Sequence, residues 1–107
     1  MNAAERRAVR WYRLRGYRIL GTNVWAGGYE LDVVARRGRR IAFCEVKEKT
    51  GTAFGDPAEM VGPEKQRRVR RAAEAWLAHQ SGLDDLQLGF DVIAVAQGRL
   101  RHIPDAF

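Results

Sequence analysis

Asp32, Glu45 and Lys47 are the residues whose types and spacing most readily support chemistry in this chain. Glu45 and Lys47 lie two apart, so on a strand they share a face. The run before them, Ile41-Ala42-Phe43-Cys44, is apolar at every position. Such a run marks a strand with both faces covered, and Glu45 and Lys47 fall at its end. Tyr29 to Arg36 reads as the preceding strand, with Arg37-Gly38-Arg39 between the two. A two-residue turn at Gly38-Arg39, glycine first as type II′ prefers, pairs Arg37 with Arg40, and a four-residue loop over 37–40 gives the same register. That register brings Asp32 opposite Glu45 and Glu30 opposite Lys47. Strict alternation puts Glu30, Asp32 and Val34 on one face of the first strand, and Ile41, Phe43, Glu45 and Lys47 on one face of the second.

Opposed carboxylates have Cβ atoms about 4.5–5.5 Å apart and repel each other. A fold tolerates them when a cation sits between them or when one stays protonated. Oxygen ligands of this kind suit Mg²⁺ or Mn²⁺, which take one or two carboxylates together with waters and phosphate oxygens. Such an ion activates water and neutralises phosphate charge. A lysine on the same face can orient that water or stabilise the developing negative charge. The alternative is a solvated strand face with cross-strand ion pairs of little energetic weight.

The elements around these residues follow from periodicity. Ala4, Ala8, Trp11 and Tyr12 predict a helix over 3–15, ended by Gly16. Residues 17–23 predict a short strand, and Ala26-Gly27-Gly28 a turn. Residues 50–61, with Gly51, Gly55 and Pro57, read as a loop. Pro63 suits a first helical position, and Val69, Ala72, Ala73 and Trp76 form the apolar stripe of a helix over about 63–80. Leu86 to Ala96 reads as a strand, followed by a Gln97-Gly98 turn and a last short strand. The order α-β-β-β-α-β-β predicts an α/β fold bordering on α+β, a mixed central sheet flanked by helices.

Composition limits the possibilities. A chain of 107 residues predicts one domain over 1–107. Hydrophobic residues make up 46% and charged residues 30%, which excludes a disordered chain. Lys plus Arg number 19 against 13 Asp plus Glu, a formal charge of +6. With a pI near 10.2 this is an electrostatic footprint for nucleic acid. Arg6, Arg7, Arg10 and Arg13 lie on the first helix, and Lys65, Arg67, Arg68, Arg70 and Arg71 on the second. With a site between the helices, these cations are expected to contact phosphates. No base-reading motif is visible, so recognition by shape or backbone is expected. The single cysteine, Cys44, can form no internal disulfide and reads as a small buried hydrophobe. No stretch is apolar enough to span a membrane, and a cytoplasmic protein is expected.

Asp32 with Glu45-Val46-Lys47 resembles the D…E-x-K motif of the PD-(D/E)xK nuclease superfamily. More narrowly, the chain resembles the uncharacterised bacterial YraN-like family, which is similar to archaeal Holliday junction resolvases. The resemblance rests on Tyr29 to Ala35, Phe43 to Lys47, Phe54 to Glu59, Lys65 to Arg68, Phe90 to Ile93 and His102 to Phe107. Leu31 replaces the proline that names the superfamily motif, Tyr29 stands where the family has glycine, and Ala4 precedes Glu5 where glycine is usual. Tyr29 is expected to narrow the approach to Glu30.

The resemblance implies a restriction-endonuclease-like fold in which Asp32 and Glu45 bind Mg²⁺ or Mn²⁺ with help from the Val46 carbonyl. Lys47 would serve the attacking water. Glu5 falls where the superfamily often places a further acid, or is a glutamate that simply favours the helix N-terminus. Gln66 falls where a second-helix polar residue points into such sites, or is an ordinary boundary residue. The expected activity is structure-selective endonuclease action on branched or single-stranded DNA. The rival reading is a non-catalytic nucleic-acid-binding module, and a site completed by a partner chain, as in a homodimer, stays open.

Overall fold

A computed structural model describes residues 1–49 and 61–107, so the expected loop over 50–61 and the Phe54 to Glu59 resemblance lie almost wholly outside the described residues. The first helix, α1, spans Ala3–Leu14. It starts where Asn2 and Glu5 cap each other. The Asn2 side-chain oxygen accepts the Glu5 N–H and the Glu5 carboxylate accepts the Asn2 N–H, both at 2.8 Å. This reciprocal box satisfies two donors that a helix start leaves orphaned. Ala4, Ala8 and Tyr12 form the buried stripe that the spacing predicts.

Among the described residues five strands and a second helix follow: β1 (Arg18–Ala26), β2 (Tyr29–Arg37), β3 (Arg40–Lys49), α2 (Pro63–Ala78), β4 (Gln87–Ala96) and β5 (Arg99–Ile103). The order is the expected one. The strands lie β1-β2-β3-β4-β5 across one sheet. Among the described strands only β3 and β4 run parallel, because a helix-bearing crossover joins them and hairpins join the others. β1 extends three residues beyond its expected end, since its ladder with β2 continues to Trp25 opposite Glu30 and Ala26 opposite Tyr29. The turn after β2 is the expected two-residue one: Arg37 pairs Arg40, and Gly38 takes a φ of +59°.

β3 occupies the middle and is covered on both faces. Ala42 and Cys44 pack with α1, and Ile41 and Phe43 pack with α2. The helices therefore lie on opposite faces of the sheet. Their arginine-bearing sides point away from it in opposite directions, and they do not form one basic surface around a shared site.

One buried charge ties this arrangement together. Asp91 of β4 is fully buried and accepts from the Tyr12 hydroxyl of α1 at 2.6 Å and from Arg40 Nη2 of β3 at 2.7 Å. It also pairs with His102 Nε2 of β5 at 2.8 Å and accepts the Asp105 N–H at 3.0 Å. Burial alone would raise its pKa. His102, Arg40, the Tyr12 hydroxyl and the Asp105 N–H together hold it well below the usual carboxylate range. Aspartate is almost never fully buried unless paired, so an Asp in the apolar run of β4 was the available signal for this knot.

Asp91→Asn is expected to cost about 3 kcal/mol at pH 7, the lower end for breaking a buried pair, because Arg40 keeps some exposure. Because the folded pKa is depressed, this stabilisation is present above the ordinary value of 3.8 and is lost as pH falls through and below it. Urea melts at descending pH check this: the gap between parent and variant should close in acid.

Candidate metal centre at the split between β2 and β3

The β2–β3 ladder keeps the expected register from Arg37 opposite Arg40 to Val33 opposite Cys44, and stops there. Beyond that point β3 stays paired with β4 as far as Lys49, while β2 stays paired with β1. The strands part where Asp32 and Glu45 should have met, so neither Asp32–Glu45 nor Glu30–Lys47 forms a ladder pair. Alternation also breaks here. Leu31 packs on the α2 side and Val33 on the α1 side, with Val34 back on the α2 side. Glu30, Asp32 and Val34 consequently do not share a face. The cause is a side chain that takes the place of the ladder: Asp32 Oδ2 accepts the Val46 N–H at 2.9 Å. Val46 enters the site through this N–H.

Among the described residues, Glu5, Glu30 and Asp32 each present one oxygen within 4.8 Å of the others. Glu5 reaches in from α1, and its two oxygens divide the work. Oε1 caps Asn2, and Oε2 accepts from Asn23 Nδ2 at 3.0 Å. The same Asn23 nitrogen donates to Glu30 Oε1 at 2.8 Å. Glu5 thus serves both as helix cap and as member of the cluster. Asn23 was not foreseen. It takes a φ of +50°, which asparagine tolerates better than most residues, and an Asn within a strand was its only signal.

Glu45 is buried but stands outside this trio. Its Oε1 is held by Lys65 Nζ of α2 at 2.7 Å, and the Tyr29 hydroxyl donates to it at 3.5 Å. Tyr29 therefore faces Glu45 and does not narrow the approach to Glu30. Lys65, expected to contact nucleic acid, is an ion-pair partner of Glu45 within the site. Burial alone would lower its pKa, but the hydrogen bond and charge of Glu45 raise it. Lys47 lies beside it, and burial together with Lys65 lowers the Lys47 pKa against the pull of Glu45.

Asp32 registers the whole arrangement. Burial and then the Glu45 charge raise its pKa to about 7, Glu5 adds to the rise, and the Val46 N–H and Lys65 oppose it. A carboxylate so placed near neutrality is short of positive charge. Three hard oxygen donors, with no His or Cys in the cluster, fit Mg²⁺ or Mn²⁺ in chemistry.

The remaining expected residues lie elsewhere. Gln66 donates to the Val61 carbonyl at 2.9 Å and secures the start of α2. Arg6, Arg7, Arg10 and Arg13 are exposed on α1, and Arg6 donates to the Met1 carbonyl. On α2, Arg67 and Arg71 are exposed, Arg68 pairs with Glu64 at 3.1 Å, and Arg70 lies over the Phe90 ring at 4.7 Å.

Fold and site together define an α/β protein with a mixed five-stranded sheet between two helices and an acidic cluster at a strand split. Residues 4–95 match the uncharacterised protein family UPF0102, and the chain belongs to that family, the YraN-like one. A UPF0102 protein of Caulobacter vibrioides is 43% identical over 105 residues, covering 97% of this chain and 82% of the relative. One of Syntrophotalea carbinolica is 43% identical over 104 residues, covering 94% and 84%. One of Geobacter metallireducens is 40% identical over 107 residues, covering 96% and 87%. No helix among the described residues is long and apolar enough to cross a membrane.

A folded pKa raised to about 7 means that Asp32 costs the metal-free protein stability as pH rises from about 4 through 7. Asp32→Asn is expected to raise metal-free stability at pH 8 by on the order of 2 kcal/mol, allowing for partial exposure. The gain should vanish near pH 4 in denaturant melts with chelator. Lys65→Met removes the Glu45 partner and is expected to cost about 1.5–3 kcal/mol without metal. It leaves Glu45 able to turn to a cation, so Mn²⁺ should raise the melting temperature of this variant more than that of the parent.

Proposed function

We propose that this chain is a divalent-metal-dependent endonuclease of the PD-(D/E)xK type. It would hydrolyse phosphodiester bonds in nucleic acid, with selectivity for branched or single-stranded DNA, in the cytoplasm. The observation that carries this reading is Asp32: a half-buried carboxylate, fixed by the Val46 N–H, grouped with Glu5 and Glu30 and short of positive charge. Glu5, Glu30 and Asp32 would hold Mg²⁺ or Mn²⁺. When bound, the ion supplies a Lewis acid for the phosphate and lowers the pKa of a bound water.

The chain's own residues do the rest. The Val46 N–H fixes one oxygen of Asp32 and leaves the other for the cluster. Asn23 ties Glu5 of α1 to Glu30 of β2, so an acid from another element stays in reach. Lys47 and Lys65 set two cations beside the acids, where the non-bridging oxygens of a phosphate and the charge growing on it would be stabilised. The exposed arginines of either helix supply phosphate contacts without sequence preference.

The Glu45–Lys65 ion pair favours a second reading, a non-catalytic nucleic-acid-binding module. A glutamate already neutralised by lysine has no need of a metal. Mn²⁺ separates the two. The nuclease reading expects Mn²⁺ to raise the melting temperature of the parent, because an ion bound only by the folded state stabilises it. Asp32→Asn should lose most of that rise and all cleavage while still binding DNA. No rise in the parent, and no cleavage of branched, flapped, single-stranded or RNA substrates, would leave the binding module.

Binding itself is expected to weaken with salt by a log–log slope of about −0.7 to −0.9 per phosphate contact. If α2 contacts the backbone, replacing Arg67 and Arg71 with Ala should make the slope shallower by about 1.4–1.8. Arg68→Ala should change it less, since Glu64 already holds that side chain. An unchanged slope assigns the contacts to α1.

A further inference from the structure

Trp25 stands apart from the other tryptophans. Trp11 is covered by the Arg15 guanidinium at 3.9 Å and by the His102 ring at 4.0 Å, and Trp76 is buried edge-on to Phe43. Trp25 is 72% exposed. It lies opposite Glu30 in the β1–β2 ladder, so the two side chains share a face with Cβ atoms about 5 Å apart. Asn23, two residues back on the same face, is bonded to both Glu5 and Glu30. An open indole therefore borders the acidic cluster directly.

Its support is rigid. In the turn that follows, Gly27 lies so close to α2 that a Cβ there would sit 3.1 Å from the Arg71 carbonyl oxygen and 3.2 Å from the Ala72 Cα. The next residue, Gly28, has nothing near it. The turn is thus clamped on its α2 side, and no side chain from it crosses the opposite side, where Trp25 stands.

We infer that Trp25 is a stacking platform for an unpaired nucleobase, and that it makes the site take single-stranded or frayed nucleic acid in preference to continuous duplex. The inference rests on the nuclease reading for the position of the phosphate. The neighbours of Trp25 on this face are carboxylates and an amide. An apolar protein surface laid over them would bury charge without partners. A nucleotide chain whose phosphate is held at the acids through a cation brings its base to the flank, where the indole lies. Stacking on an aromatic tolerates any base, but a base inside a duplex has both faces already taken.

The test uses the full chain with Ca²⁺, which supports binding without demanding turnover. Affinities are measured for oligo(dT), for a single-stranded RNA and for a paired duplex of matched length, using the parent, Trp25→Ala and Trp25→Phe. The Ala variant is expected to lose about 5- to 150-fold on the unpaired strands and to match the parent on duplex. The Phe variant should recover most of the loss, and oligo(dT) should quench the tryptophan fluorescence of the parent more than that of the Phe variant. Thermal melts confirm that each variant is folded.

Equal affinity of the Ala variant and parent for unpaired strands overturns the inference. So does an equal loss on duplex, failure of any nucleic acid to bind, or a change of oligomeric state in the Ala variant, which would mark Trp25 as a contact between copies. The catalytic reading is scored separately by Mn²⁺-dependent cleavage in the parent and its loss in Asp32→Asn. Trp25-dependent binding without cleavage sustains stacking and removes catalysis. Asp32-dependent cleavage with indifferent Trp25 does the reverse.

Discussion

Asp91 carries a charge in a place where a charge is costly, and the sheet, α1 and the C-terminal turn are arranged around satisfying it. Its carboxylate gathers donors from α1, β3, β5 and the backbone of Asp105. Apart from His102 and Asp105, these groups lie far from one another in sequence. The contact with Tyr12 is the one that bears on function. It fixes how α1 lies across the sheet, and α1 carries Glu5 at its other end. The helix cap made by Asn2 and Glu5 then sets the rotation of that end, so a buried knot at one end of α1 positions an acid at the other.

The candidate site depends on a place where regular structure stops. Continued pairing of β2 with β3 would have set Asp32 against Glu45 and closed the sheet over both. Asp32 instead takes the Val46 N–H for itself, and the strands separate into a cleft that Glu5 can reach from α1. The electrostatics of the cleft are uneven. Glu45 has its cation in Lys65, while among the described residues Glu5, Glu30 and Asp32 have no ion-pair partner, only the Asn23 amide and the backbone N–H groups of Asn2 and Val46. That difference explains why burial and repulsion are felt most at Asp32, and why a cation is the simplest addition that would relieve it.

The positive charge of the molecule is divided in a comparable way. Lys47 and Lys65 sit within the site, next to acids. The exposed arginines of α1 and α2 lie on the outer sides of two helices that the sheet keeps apart. On the proposed nuclease reading, a phosphate chain meeting the acids would also meet Lys47 and Lys65, and a longer nucleic acid would have to choose one helix or bend to reach both.

The element order, the buried stripes of both helices, the both-sided burial of β3 and the Gly38-Arg39 turn were all legible from periodicity and turn chemistry, because each depends on residues a few positions apart. The placing of Asp32 in an acidic site was also visible, and Glu5 as a further acid through the resemblance. The tertiary structure alone decided that the ladder ends at Val33 and Cys44, that Glu45 pairs with Lys65, that Gln66 serves its own helix, that Asn23 bridges two acids, and that Asp91 is a buried hub. Each of these turns on which side chain wins a contested hydrogen bond or ion pair between elements distant in the chain. Local patterns specify faces and turns. They do not specify that competition, because its outcome depends on burial and on partners brought together only when α1, α2 and the sheet have packed.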